Sequence, residues 1–485
     1  MDLTKFYIDQ YGCAKNQTDG ELISTFLEEN GFIQTFDASL ADFIIVNSCG
    51  FIKSAKKESI DAVYSIKNNY PQAKIILTGC LAQRYAQDLF DSMPELDGVF
   101  GNGNLSKIAD FMHEVEKNKR AVQTYDQVGI CTAFRKKLFN YPSSAYVKIT
   151  EGCSNHCSFC AIPLIRGELR SRQIDDIVEE VKNLIQNGVY EINLIGQDLA
   201  AFGDDFKKND YISDRPRVTG LSYLAQLFTE ISKLKGEFIV RPLYIHPDHF
   251  NTDILQVMKA DSRFCKYFDI PFQSGDDEII RRMNRVGSAE RYKSLIKEIR
   301  SQLPDCMIRT TFLTGFPGES EEAAQNTVDF LQAIEADWSG CFPYSREDDT
   351  PAYNFNNRVP AKIAQKRADR LEEIQSKITE KRLQRFVSSE QLVLVEEVID
   401  IDKDNAEDLS EGLAIGRAWF QAPDVDGCVV IRYDRSEKEE MDAVKAGNLV
   451  KVKILSSTGV DLDARFLSLT KAFKKSSNLD FRYSN

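Results

Sequence analysis

The stretch Tyr146-Val147-Lys148-Ile149-Thr150-Glu151-Gly152-Cys153-Ser154-Asn155-His156-Cys157-Ser158-Phe159-Cys160 decides how the chain is read. Tyr146 to Ile149 has strand composition, and three cysteines spaced C-x3-C-x2-C follow it on one tight loop. Downstream, short apolar runs separated by helix-length spans recur at Glu191–Ile195, Phe238-Ile239-Val240, Tyr267–Ile270, Met307–Leu313 and Gly340-Cys341-Phe342. With the first run these make βα units that predict a parallel (β/α) barrel, partial or full.

Upstream the same alternation appears at Lys5–Ile8, Phe43–Val46 and Lys74–Leu77, which reads as a parallel-sheet α/β domain. Gly101-Asn102-Gly103-Asn104 and the irregular stretch to Ser143-Ser144 form a boundary region. Past Pro360, Ala361 to Gln384 has helical composition without a breaker, so a long connecting helix is expected. Beyond it, Val393-Leu394-Val395, Gly427–Val430 and Leu449–Ile454 are short strands split by turn residues, the pattern of a small all-β barrel. The fold class is therefore α/β: an N-terminal domain over 1–118, a (β/α) partial barrel over 139–376 and a small β-barrel over 379–470. A length of 485 residues suits about three domains at roughly 150 residues each.

Composition narrows the function. At 42% hydrophobic and 28% charged the chain is that of a folded protein, and it has no apolar run near the roughly 20 residues that cross a membrane. The start, Met1-Asp2-Leu3-Thr4-Lys5, lacks a basic region followed by an apolar one, so a cytoplasmic location is expected. In a reducing compartment 11 cysteines are better read as metal ligands where they cluster and as core residues where they scatter. A net charge of −13 argues against a generally basic nucleic-acid binder and favours a basic protein partner.

Soft thiolates at Cys153, Cys157 and Cys160 suit three irons of a 4Fe-4S cluster, leaving the fourth open to a substrate. A zinc knuckle is the main alternative, but structural zinc takes four protein ligands, and His156 is not spaced as zinc pairs are. Cys13, Cys49 and Cys80 each close a predicted strand, and those ends share the edge of a parallel sheet where ligands bind. Singly each is more often a small core residue than a ligand. Together they are candidates to converge, with Gly12, Gly50 and Gly79 giving room for close approach to a bulky cofactor. Cys131, Cys265, Cys306, Cys341 and Cys428 share no geometry and read as core or surface residues.

The three-cysteine loop resembles the signature of the radical S-adenosylmethionine superfamily. With Gly12-Cys13-Ala14-Lys15-Asn16, Asp19-Gly20-Glu21, Ile162-Pro163-Leu164-Ile165-Arg166-Gly167 and Ser171-Arg172, nearly the whole chain resembles the methylthiotransferase family. His246-Pro247-Asp248-His249, Gly416-Arg417-Ala418-Trp419 and Ala422-Pro423-Asp424-Val425-Asp426-Gly427 are similar to its RimO branch. That resemblance implies a C-terminal TRAM domain and two 4Fe-4S clusters, the second held by Cys13, Cys49 and Cys80. It also implies S-adenosylmethionine as radical source and methyl donor, and an aspartate β-carbon of the twelfth small-subunit ribosomal protein as target, free or in the ribosome. Family members otherwise modify adenosine in transfer RNA, which is the alternative substrate. An electron donor such as flavodoxin or ferredoxin is implied as a further partner, and no membrane.

Charge bears on the choice of branch. From Thr379 to Asn485 there are 20 Asp and Glu against 16 Lys and Arg, whereas an RNA-binding barrel carries surplus positive charge. An aspartate β-carbon has no acidic proton, so replacing C–H by C–S calls for homolytic abstraction. Gln197, Gln273 and Arg309 lie on or after barrel strands and are candidate contacts for S-adenosylmethionine, Arg309 as a bidentate partner for its carboxylate. Gly315–Glu319 reads as a turn bordering the nucleoside pocket or as loop chemistry alone. His246 and His249 read as loop or substrate-rim residues. Trp419 and Phe420 read either as an exposed docking pair or as core of the small barrel.

Overall fold

The computed structural model describes residues 3–117, 119–127, 129–206, 215, 218–399, 410–473 and 479–481. The N-terminal unit is a parallel sheet whose strand order is Ile33–Gln34, Lys5–Gln10, Phe43–Ser48, Lys74–Gly79, Gly98–Phe100 and Ala121–Gln123. Its central strands are buried on both faces, which explains the unbroken apolar run Phe43-Ile44-Ile45-Val46. Helices Ala14–Glu29, Lys53–Asn69 and Cys80–Ser92 each begin where a strand has just ended, so all three chain reversals lie on one edge.

Two three-stranded parallel sheets follow. Ser144–Lys148, Glu191–Ile195 and Ile239–Pro242 form one, and Tyr267–Asp269, Met307–Thr314 and Trp338–Pro343 the other. The Val240–Phe264 bridge and the bond from Ile245 N to Asp269 O (2.8 Å) join them into an open, six-stranded partial barrel. Helix Ile174–Gln186 shows how the outer layer forms: Ile174, Ile177, Val181 and Leu184 recur at helical spacing and are buried against the strands. The expected connecting helix spans Ala361–Leu383 and packs on the last barrel strand.

The C-terminal unit is a closed barrel of Glu390–Ile399, Glu411–Arg417, Val429–Asp434, Asp461–Lys471 and Leu449–Thr458. Its loop Ala418–Asp426 enters the floor of the larger barrel. Arg241 donates to Trp419 O at 2.9 Å, Tyr146 Oη to Asp424 at 3.0 Å and Tyr267 Oη to Asp426 at 2.6 Å. Trp338 Nε1 donates to Phe420 O at 3.2 Å. Phe420 is fully buried and stacks on Phe386 with ring centroids 3.9 Å apart, while Trp419 packs half-buried on the same core. The aromatic pair is core, not a docking surface. Asp480–Phe481 runs back to pair with Lys137–Leu138, and Phe481 joins the core of the larger barrel.

The floor is closed by buried charge. Glu191 accepts from Arg241 and, at 2.8 and 2.7 Å, from Arg417, which also reaches Glu396 at 2.6 Å. Buried ions survive only when matched in this way, and here the match crosses from barrel strand to C-terminal strand.

Candidate functional site

The N-terminal sheet presents its strand-end edge to the C-terminal mouth of the partial barrel. A cavity of about 310 Å³ lies between them, lined by Cys13, Cys49 and Cys80 from one side and by Cys153, Cys157 and Cys160 from the other. The glycines beside the first three act differently from expectation. A Cβ on Gly50 would lie 2.7 Å from the Leu81 backbone, and Gly12, at φ +85°, faces Cys49 Cβ at 3.0 Å. Gly79 likewise abuts Ser48, so these residues let the three strand ends close on one another. Cys265, Cys306 and Cys341 are buried in cores, as expected of scattered cysteines, and Cys131 and Cys428 are half-buried.

Buried charges bind the two faces of the cavity together. Asp19 and Glu151 accept from Lys148 at 2.6 and 2.5 Å and from Arg166 at 2.8 and 2.7 Å. Arg166 also reaches Cys80 Sγ at 3.2 Å. Burial raises the Cys13 thiol, but the Lys15 and Arg166 cations outweigh it and hold the group below its ordinary value. Burial, with Cys80 adding to it, pushes Cys49 up to about 12, and burial pushes Cys153 to about 12 and raises Cys160. Without a metal Cys49, Cys153 and Cys160 keep their protons, and a metal would displace them.

Gln197 and Gln273 both line the cavity. Gln197 Nε2 donates to Glu151 at 3.3 Å, while its Oε1 is buried with no hydrogen-bond partner among the described residues. Arg309 is not at the mouth. It is the third residue of its strand, paired in register with Asp269 and Trp338, and its guanidinium meets Asp426 at 3.0 Å on the barrel floor. The structure therefore commits Arg309 to the C-terminal loop and not to a carboxylate in the cavity. The turn Gly315–Glu319 packs on the long helix: Glu319 accepts from Gly315 N and from Arg367, both at 2.7 Å.

Asp198 ties the three-cysteine loop to the barrel. It accepts from Asn155 Nδ2 at 2.9 Å and from the backbone of His246 at 3.1 Å, and its Oδ2 lies 2.9 Å from His249 Nδ1. His246 Nδ1 accepts from Asp248 N at 3.2 Å, which leaves Nε2 facing Cys157 Sγ at 4.0 Å. Burial, reinforced by Arg285, lowers the His246 imidazole to about 3, so it is neutral near neutral pH. Neither His246, against Cys157, nor Arg166, across the two triads, was assigned a contact from sequence. Arg166 stands in a motif already singled out, and a cation in an otherwise apolar stretch is the signal that marks it.

The donor set fits the group that its spacing suggests. Soft thiols stand in two sets of three around one chamber, beside the unsatisfied Gln197 oxygen.

An open parallel barrel with C-x3-C-x2-C after its first strand defines a radical S-adenosylmethionine protein, carrying an iron–sulfur cluster and using S-adenosylmethionine. Residues 147–331 match the radical SAM superfamily, 390–467 the TRAM domain and 5–101 the family described as uncharacterized protein family UPF0004. The ribosomal protein uS12 methylthiotransferase RimO of Treponema denticola is 49% identical, over 94% of this chain and 99% of that protein. The protein of the same name from Natranaerobius thermophilus is 36% identical over 94% and 98%. The chain belongs to the RimO family of radical S-adenosylmethionine methylthiotransferases. Among solved structures, the radical S-adenosylmethionine methyltransferase TsrM of Kitasatospora setae, with cobalamin and a 4Fe-4S cluster bound, matches with a TM-score of 0.52. That match is 11% identical and covers 73% of this chain and 74% of that one, a likeness of fold alone.

Proposed function

We propose that this chain transfers a methylthio group to the β-carbon of an aspartate in ribosomal protein uS12. One 4Fe-4S cluster would be held by Cys153, Cys157 and Cys160 and a second by Cys13, Cys49 and Cys80. The division of labour follows 1–118 for the second cluster, 139–376 for the radical barrel and 379–470 for the TRAM-like barrel. The reading includes a cytoplasmic setting, no membrane, and a flavodoxin or ferredoxin as electron donor; no described helix is long and apolar enough to cross a membrane.

The observation that carries the reading is the single cavity lined by both cysteine triads. When bound, the clusters and S-adenosylmethionine supply homolytic hydrogen abstraction, sulfur and a methyl group. The protein's own work is to hold the reacting groups close and dry, because a primary carbon radical attacks whatever is nearest. Gln197 and Gln273 would contact S-adenosylmethionine, the first through its unsatisfied oxygen. Asp198 fixes the loop that carries Cys153 and Cys157, and the Asp19–Lys148–Glu151–Arg166 network fixes the distance between the triads.

The test is mass spectrometry of uS12 and of transfer RNA after anaerobic incubation of the reconstituted protein with S-adenosylmethionine, sulfide and a reductant. A gain of one methylthio group less one hydrogen on uS12 is expected. The same gain on transfer RNA would overturn the substrate assignment, and no gain with no 5'-deoxyadenosine would overturn the chemistry.

A further inference from the structure

Two of the cations that line the shared cavity, Lys15 and Arg285, have no carboxylate partner among the described residues; Arg285 donates to the carbonyls of Pro271 and Phe272 at 2.6 and 3.3 Å, whereas Lys15 has no such acceptor. Lys15 lies in the first turn of helix Ala14–Glu29, two residues past Cys13, and its side chain lines the cavity with only 8% of the residue exposed. Its Nζ sits 3.1 Å from the ring centroid of Tyr244, and no carboxylate of the described residues stands within 4.0 Å of it. The neighbouring buried cations are treated differently: Lys148 and Arg166 each pair with both Asp19 and Glu151. A ring face satisfies part of an ammonium's field but none of its three N–H donors. Tyr244 itself is held at φ +66°, a region that bulky side chains avoid, in the wall that places its ring beneath Lys15.

A buried ammonium left in this state is complementary to an anion that arrives with the substrate. We propose that Lys15, seated on Tyr244, receives a carboxylate, and that this is the side-chain carboxylate of the residue to be modified. Two carboxylates enter the chamber under the reading above, that of the target aspartate and that of S-adenosylmethionine. Lys15 belongs to the Cys13 loop rather than the Cys153–Cys160 loop, which favours the target. The inference rests on that reading and adds a basis for substrate choice. An acidic side chain supplies the missing counter-ion, whereas a neutral nucleobase supplies none.

The experiment uses the full chain with both clusters reconstituted, comparing wild type, Lys15→Met and Lys15→Arg on full-length uS12 carrying either the target Asp or Asn in its place. With the Asp form, Lys15→Met should lose about 100-fold in kcat/KM and weaken uS12 binding measured without S-adenosylmethionine, the order for a buried charge pair deprived of one partner. Wild type should suffer a similar loss on the Asn form, and Lys15→Met on the Asn form should lose little more, with Lys15→Arg partly restoring the Asp form. Iron content, the electron paramagnetic resonance signals of both clusters and S-adenosylmethionine affinity should stay unchanged. Equal loss on the Asp and Asn forms, or loss of iron, would make Lys15 a counter-ion to the second cluster and overturn the proposal. Weakened S-adenosylmethionine binding would assign it to the other carboxylate and overturn it equally. Failure of the parent reading shows separately, as no modification of uS12 by wild type, and removes this inference with it.

Discussion

Arg166 Nη2 stands 3.2 Å from Cys80 Sγ, so a guanidinium that follows the barrel's cysteine loop reaches a thiol of the N-terminal sheet. The same group pairs with Asp19 and Glu151 in surroundings only 2–9% exposed, which makes it the hub between the two cysteine triads. Arg166→Met should cost about 3–5 kcal/mol, because two buried carboxylates are left to share a single cation, Lys148. Thermal unfolding would register the loss, and iron analysis should show fewer iron atoms bound by the N-terminal triad than in wild type. An unchanged melting temperature with full iron content would contradict the role of the network.

Gly12 offers a narrower perturbation of the same face. At φ +85° it occupies the left-handed region, and an added Cβ would lie 3.0 Å from Cys49 Cβ. Gly12→Ala should therefore cost about 1–2 kcal/mol in backbone strain and displace Cys49. Iron bound through Cys13, Cys49 and Cys80 should fall while that bound through Cys153, Cys157 and Cys160 persists, a difference visible in Gly12→Ala combined with Cys153→Ala. Equal loss from both triads would point to a general folding defect.

What the sequence carried and what it did not divide along physical lines. Strands such as Phe43–Ser48 and Glu191–Ile195 were legible because burial on both faces writes an unbroken apolar run. Glu411–Arg417, with two glycines, and Asp461–Lys471, with Asp461, Asp463 and Arg465 alternating outward, were not, since a small closed barrel buries only alternate residues. The convergence of Cys13, Cys49 and Cys80 followed from their equivalent places at strand ends. Arg309 was misjudged because its depth along the strand, early rather than late, sends it to the floor and to Asp426. The Arg166–Cys80 contact spans 86 residues, and no local pattern encodes such a pair.

The floor ion cluster predicts an acid-sensitive joint. Burial alone would raise the Glu191 carboxyl, but Arg417 and Arg241 outweigh it and hold the group well below the usual carboxylate range. A depressed folded-state value means that its stabilisation is present above the unfolded value of about 4.3 and is lost as pH falls below it. Glu191→Gln should lower stability near neutral pH by about 3 kcal/mol and flatten this part of the acid limb. Chemical denaturation of both proteins between pH 3 and 7 measures it, and parallel curves would refute the assignment.

His246 makes the last prediction, and it concerns the cluster loop alone. Because its Nδ1 accepts the Asp248 backbone N–H, the ring proton must sit on Nε2, which faces Cys157 Sγ at 4.0 Å. A donor at a ligating sulfur favours the more negative, reduced state of an iron–sulfur cluster, so the imidazole should raise the potential of the group held there. His246→Phe keeps a flat ring but removes the donor, and the midpoint should move to a more negative value by about 60 mV or less, the equivalent of tenfold in a one-electron equilibrium. His246→Gln, which retains an N–H donor, should recover part of the shift. A redox titration followed by electron paramagnetic resonance, on protein with Cys13, Cys49 and Cys80 replaced by alanine so that only one site remains, separates the outcomes. A midpoint that is indifferent to both substitutions would mean that the 4.0 Å approach is packing and not a hydrogen bond.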